Sequence, residues 1–159
     1  MKIKFFAAAL FALFLSACNP MAQLDGAEAK IAQFHSVYND GDARRLYGVT
    51  GEEFRAVTTP EQMDELVTLV AGRMGQVEST ERAGFNINSD NGVNMTVVTM
   101  TTQYEKGEAT EIFTFQGDGE TMQLVGWNVE SDNFLDGGDG GDGADDAPVE
   151  DALDAEPAE

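Results

Sequence analysis

The chain has 159 residues, of which 29 are acidic and 9 are basic, so its formal net charge is −20 at pH 7. This length suits one ordinary domain, and the excess of acid argues against a nucleic-acid partner, because affinity for phosphate backbones depends on Lys and Arg. The single cysteine, Cys18, excludes an intramolecular disulfide and a cysteine-based zinc cluster.

The N-terminal segment has the pattern of an export signal. A short basic start precedes an uninterrupted apolar run at positions 5–15. A helix that crosses a bilayer needs about 20 apolar residues, so this run is too short to span and indicates a signal peptide over residues 1–17. The sequence Leu15-Ser16-Ala17-Cys18 that follows resembles the bacterial lipobox, in which a diacylglyceryl group is attached to the cysteine thiol before cleavage.

The lipobox resemblance predicts a lipid anchor on Cys18, with residues 18–23 as a lipidated linker. Buried acyl chains contribute about 0.8 kcal/mol per methylene, so two or three chains on one residue would hold the protein in a membrane permanently. Residue 19 is Asn and not Asp, which by the enteric sorting rule favours the outer membrane over the inner membrane. The alternative is an ordinary signal peptide with a chance cysteine near the cleavage site.

The first half of the mature chain predicts helices. Apolar residues recur every three or four positions from Gln23 to Tyr38, which is the period of an amphipathic helix. One or two further turns are expected over residues 42–47. The sequence Thr59-Pro60-Glu61-Gln62 combines an N-cap, a first-turn proline and a capping-box glutamine, so it predicts a helix that stops at Gly75.

After Gly75 the pattern changes to strands. Segments rich in Thr, Val, Ile and aromatic residues alternate with turn signals, and they predict strands over residues 77–88, 93–104, 109–116 and 121–130. Four strands with three tight connections form an antiparallel meander. Helices followed by strands predict an α+β domain over residues 24–134, with the helices packed on one face of the sheet.

The C-terminal segment, residues 135–159, is an acidic tail with ten acids and no base. It has too few large apolar side chains to offset the cost of ordering its backbone, so it is predicted to be disordered. Its Gly137-Gly138-Asp139-Gly140-Gly141-Asp142 run fits the start of a calcium-binding nonapeptide repeat. Such repeats work by stacking and there is one copy, so a solvated tether is the favoured interpretation and weak divalent-cation binding the alternative.

Four phrases connect the middle of the chain to a known superfamily: Tyr38-Asn39-Asp40-Gly41-Asp42, Glu53-Phe54-Arg55, Tyr104-Glu105-Lys106-Gly107-Glu108-Ala109 and Leu124-Val125-Gly126-Trp127-Asn128-Val129. Over residues 24–132 the chain resembles small bacterial lipoproteins with a nuclear transport factor two-like (cystatin-like) domain of unknown function. The resemblance implies helices on a curved four-stranded sheet, a short helix before the Phe-Arg pair, and a tryptophan in the last strand. Relatives usually place that tryptophan before the glycine, whereas here Gly126 precedes Trp127.

The resemblance also implies a pocket between the helices and the sheet, for which His35, Tyr38, Tyr104 and Trp127 are the candidate lining residues. His35 lies within the apolar stripe of its helix, so a satisfied, half-buried histidine is the favoured interpretation, ahead of a pocket residue or a catalytic one. Tyr38 and Tyr104 are expected at the edge of the core with wet hydroxyls. No motif for a nucleophile, a metal site or a cofactor is present, so the sequence assigns no catalytic residue, no metal and no cofactor.

These observations predict a lipid-anchored protein of the bacterial cell envelope, facing the periplasm, with one non-enzymatic domain that binds a small apolar ligand or a protein partner. The first alternative is an isomerase or dehydratase that uses His35 with a tyrosine. The second is an interaction module that acts through the acidic tail. Homodimers through the open sheet face are common in the superfamily, but nothing in the sequence fixes the oligomeric state.

Overall fold

The computed structural model describes residues 20–90 and 92–134. They form four helices, then four strands, with two short 3-10 turns at Gly119–Thr121 and Asp132–Phe134. The helices are α1 (Pro20–Asn39), α2 (Ala43–Gly48), α3 (Glu52–Val57) and α4 (Pro60–Met74), and the strands are β1 (Val77–Asp90), β2 (Val93–Tyr104), β3 (Gly107–Gln116) and β4 (Gln123–Glu130). The predicted signal peptide, Cys18 and the acidic tail lie outside the described residues.

Local chemistry explains most of the helix boundaries. The hydroxyl of Thr59 accepts a hydrogen bond from the backbone N–H of Gln62, whose side chain accepts one from the N–H of Thr59 in return, so the predicted capping box starts α4. α4 ends at Gly75, as predicted, in a backbone conformation with φ of 80°. α1 begins at Pro20 rather than near Gln23, which places part of the expected linker inside the helix.

The strands form one antiparallel sheet in the order β1-β2-β3-β4. Each strand pairs with its neighbour in sequence, as a meander requires. β3 begins at Gly107, two residues before the predicted start. β4 begins at Gln123, two residues after the predicted start, because the chain between β3 and β4 makes a 3-10 turn at Gly119–Thr121 before it pairs again. An isolated parallel bridge between Thr50 and Leu124 attaches the α2–α3 connection to β4. The α+β class is therefore confirmed.

The core lies between the helices and one face of the sheet. In β2 and β3 every second residue is buried, so each strand presents one face to the helices. α1 and α4 supply the facing apolar side chains, among them Leu24, Ile31, Phe34, Met63 and Val70. The opposite face carries half-exposed residues at its centre, including Val97, Thr99, Ile112 and Thr114.

Candidate functional site

The most unusual group in the core is the carboxylate of Glu111, which is completely buried in the middle of β3. It shares the inward face of the strand with Ala109, Phe113 and Phe115, all of which are buried. A buried carboxylate is costly unless it is hydrogen-bonded and paired. The surroundings of Glu111 therefore determine whether it stabilises the fold or marks a reactive site.

Three side chains donate hydrogen bonds to Glu111. Nε2 of His35 lies 2.7 Å from Oε2, the hydroxyl of Thr102 lies 2.5 Å from the same oxygen, and Nε1 of Trp127 lies 2.8 Å from Oε1. Thr80 extends the network, since its hydroxyl lies 2.9 Å from that of Thr102. Both carboxylate oxygens therefore have donors, and each donor comes from a different element of the fold.

The network keeps Glu111 ionised. Burial alone would raise its carboxyl pKa, but the hydrogen bond and charge interaction with His35, together with the hydrogen bonds from Thr102 and Trp127, outweigh burial and lower the pKa below its ordinary value. An ionised carboxylate accepts hydrogen bonds only, so Nε2 of His35 carries the proton in this contact. The arrangement is a charge-assisted polar network inside an otherwise apolar core.

The structure brings together all four residues that the sequence proposed for a pocket. His35 and Trp127 both contact Glu111. The centroid of the Tyr38 ring lies 6.0 Å from that of Tyr104 and 6.4 Å from that of Trp127. Trp127 pairs with Phe113 across the sheet, so it faces the helices. His35 is more buried than the half-buried state that was expected, because only 6% of its surface is accessible.

The two tyrosines differ from the expected wet, core-edge residues. The Tyr38 hydroxyl donates a 2.9 Å hydrogen bond to the carbonyl oxygen of Gly75. The Tyr104 hydroxyl is buried and has no hydrogen-bond partner. Burial raises the pKa of both phenols, and the nearby Glu111 carboxylate raises them further. Both side chains therefore stay protonated and packed in the core.

A cavity of about 320 Å³ opens beside this network. Its apolar surface comes from Phe34, Phe115, Met122 and Leu124, all buried core residues. Its polar wall comes from Lys30, Gln33, Thr50, Arg55 and Gln123, and Gly48 and Val49 complete the lining. None of the four predicted pocket residues lines it. The cavity therefore lies at the junction of α1, the α2–α3 connection and β4. Its lining residue Phe34 is the neighbour of His35 on α1.

The connection that forms one wall of the cavity is held against β4 at close range. The backbone N–H of Gly51 donates a 2.7 Å hydrogen bond to the carbonyl oxygen of Leu124. A Cβ atom at Gly51 would lie 2.8 Å from the Cβ of Gln123, so only glycine permits this approach. The side chain of Gln123 in turn accepts a hydrogen bond from the N–H of Glu52, at the start of α3.

Within residues 20–90 and 92–134, no group of three or more His, Cys, Asp or Glu side chains is placed to hold a metal ion. No helix in the same part of the chain is long and apolar enough to cross a membrane.

No model of a known protein family matches the chain, and no curated protein matches it.

The burial of Glu111 has a signal in the sequence, although Glu111 belongs to no motif. Glu111 has the same strand parity as Ala109, Phe113 and Phe115, so an inward-facing register for those residues also turns the glutamate inward. The partners Thr102 and Trp127 lie on neighbouring strands, and their meeting depends on the register of the sheet. Lys30 and Arg55 lie on different helices that share no sequence pattern, so the sequence did not indicate that they line one cavity.

Proposed function

We propose that this chain is a lipid-anchored protein of the bacterial envelope, held by Cys18, whose single α+β domain is a non-enzymatic binding module for a small ligand with an apolar part. The observation that carries the binding role is the cavity at the junction of α1, the α2–α3 connection and β4. Buried apolar side chains form its floor, and most of its accessible lining is polar, so the ligand is expected to combine an apolar part with polar groups. The lipobox sequence supports the anchor.

The order of helices and strands, and the inward-facing Trp127 in the last strand, also support a nuclear transport factor two-like domain as the finer description of this α+β fold. In that description the cavity lies between helix and sheet. The outer membrane is the proposed destination, on the basis of Asn19 after the lipidated cysteine.

The experiment is a native mass spectrum of the full protein extracted gently from membranes of the bacterium that makes it. We expect a complex heavier than the lipidated chain, which loses a small molecule on denaturation. Gly48→Leu should abolish retention, because Gly48 lines the cavity and a side chain there meets open space. Gly72→Leu is the matched control, since Gly72 lies outside the lining and also has open space around it.

A spectrum that shows only the bare lipidated protein, with the fold intact by circular dichroism, would contradict the ligand-binding role. Equal retention by Gly48→Leu and Gly72→Leu would place the ligand elsewhere on the molecule.

A second candidate, an isomerase or dehydratase, is favoured by one contact, the 2.7 Å pair of His35 and Glu111. A general base needs this kind of carboxylate partner. Against it, both residues are buried and neither lines the cavity. For an enzyme, the cavity would have to extend past Phe34 to His35 when substrate binds, and His35→Gln would then abolish turnover without changing ligand retention.

A further inference from the structure

Two bases line the cavity, in a protein whose acids outnumber its bases 29 to 9. Lys30 projects from α1 and Arg55 from α3, and both side chains are partly buried. No acidic residue is among the lining residues. A locally basic wall in a strongly acidic protein is the feature that distinguishes this cavity from the rest of the surface.

Four of the five other bases in the described domain have a carboxylate or carbonyl partner, and the fifth, Arg44, is exposed. Arg45 pairs with Asp40 at 2.9 Å, Arg82 pairs with Glu28, and Lys106 donates to the carbonyl oxygen of Gly72. The two ion pairs offset the charges of Arg45 and Arg82, whereas Lys106 keeps its charge but does not line the cavity.

Lys30 and Arg55 are the two bases that line the cavity. Within residues 20–90 and 92–134 neither side chain forms an ion pair. Arg55 donates one hydrogen bond, to the carbonyl oxygen of Thr50, which fixes the guanidinium at the cavity wall. An arginine has five N–H donors, so most of its donors remain available to a ligand. Lys30 adds three more on a flexible stem.

We infer that the cavity binds a small organic anion, a carboxylate with an apolar body, and this inference rests on the binding role proposed above. The carboxylate takes hydrogen bonds from Lys30 and Arg55, and the apolar body lies on Phe34, Phe115 and Met122. The cavity of about 320 Å³ is at the small end of the usual range for ligand sites, roughly 300–1,000 Å³. The ligand is therefore a small acid rather than a phospholipid.

The test measures binding of a panel of small aliphatic and aromatic carboxylates, each paired with its neutral primary amide, by ligand-observed NMR on the full protein in lipid nanodiscs. 4-Fluorobenzoate and 4-fluorobenzamide form one such pair, with a fluorine signal for titration. The amide has nearly the same shape as the acid, so a difference in affinity reports the charge.

The variants are Lys30→Gln, Arg55→Gln and Arg55→Lys, with Arg44→Gln as the control. Arg44 is exposed and outside the lining, so its substitution makes the same change in net charge. Arg55→Lys keeps the positive charge at the wall but changes the hydrogen bond to Thr50. It therefore separates a loss of binding that comes from the charge from one that comes from the Thr50 contact.

We expect at least one carboxylate to bind about tenfold more tightly than its amide, since hydrogen bonds to charged groups are the stronger class. Lys30→Gln should weaken that carboxylate about tenfold and leave the amide within about twofold, while Arg44→Gln changes neither. Higher salt should weaken the carboxylate only.

Amides that bind as well as their acids, in a manner sensitive to Gly48→Leu, would overturn the inference and leave the proposed binding module standing. Carboxylate binding that survives both Lys30→Gln and Arg55→Gln would also overturn it. If no member of the panel binds, the inference fails, and the native mass spectrum alone decides the proposed function.

Discussion

Nε2 of His35 on α1 lies 2.7 Å from Oε2 of Glu111 on β3, and both side chains are buried. The pair joins the first helix of the domain to the third strand of the sheet, 76 residues away along the chain. Because Thr102 and Trp127 satisfy the remaining demands of the carboxylate, the simplest consequence of the network is stability of one packing of helices on the sheet.

Glu111→Gln should therefore destabilise the domain. The substitution removes the charge and turns an amide N–H₂ toward at least one existing donor, so the free energy of unfolding should fall by on the order of 3 kcal/mol. Urea unfolding followed by circular dichroism measures this. Glu108→Gln, on an exposed position of the same strand, is the control and should stay within about 0.5 kcal/mol. Equal effects of the two substitutions would mean that the buried network contributes nothing specific.

The same carboxylate should make stability depend on acid. Its pKa is lower in the folded state than the value of about 4.3 in unfolded chains. The unfolded state therefore takes up a proton first as the pH falls. The contribution of Glu111 is fully present above about pH 4.3 and is lost as the pH falls through its folded pKa.

The difference in unfolding free energy between the wild type and Glu111→Gln should accordingly shrink as the pH falls below about 4.3, the ordinary Glu pKa. The substitution removes the carboxylate together with its ion pair to His35, so the comparison reports the contribution of the pair. A difference that stays constant as the pH falls would show that folding does not lower the pKa of Glu111.

The tyrosines provide a paired test of packing. Tyr104→Phe removes a buried hydroxyl that has no partner, so it should leave stability unchanged or raise it by about 1 kcal/mol. Tyr38→Phe removes the hydrogen bond to the Gly75 carbonyl and should lower stability by about 1 kcal/mol. Thermal and urea unfolding of both variants give the comparison, and the reverse order would show that Tyr104 has the stronger interaction.

Gly51→Ala tests the wall of the cavity. The new Cβ would overlap Gln123 and the Leu124 carbonyl, so the connection would be pushed away from β4 at a cost of about 1–3 kcal/mol. Gly26→Ala is the control: it lies inside α1 with open space around it, and should gain about 0.5–1 kcal/mol from helix propensity. If Gly51→Ala is as stable as the wild type, the close contact with β4 is not maintained in solution.

The sequence predicted what depends on local rules. The capping box at Thr59, the stop at Gly75 and the period-two strands are decided within a few residues, and the structure confirms them. The buried state of His35 and the partnership with Glu111 depend on the register of three strands under α1, which no local pattern encodes. Trp127 shows the same limit: from its position after Gly126 the sequence did not decide which face of the sheet it occupies, and the pairing with Phe113 does.

The intact mass of the protein from membranes of the bacterium that makes it is the decisive test of whether Cys18 anchors this domain to a membrane. We expect a chain that begins at Cys18 and carries a diacylglyceryl group with an additional acyl chain. Globomycin should make the unprocessed form accumulate, and Cys18→Ala should remove the lipid. The proposed anchor would be wrong if the chain began at another residue, or if it began at Cys18 without lipid.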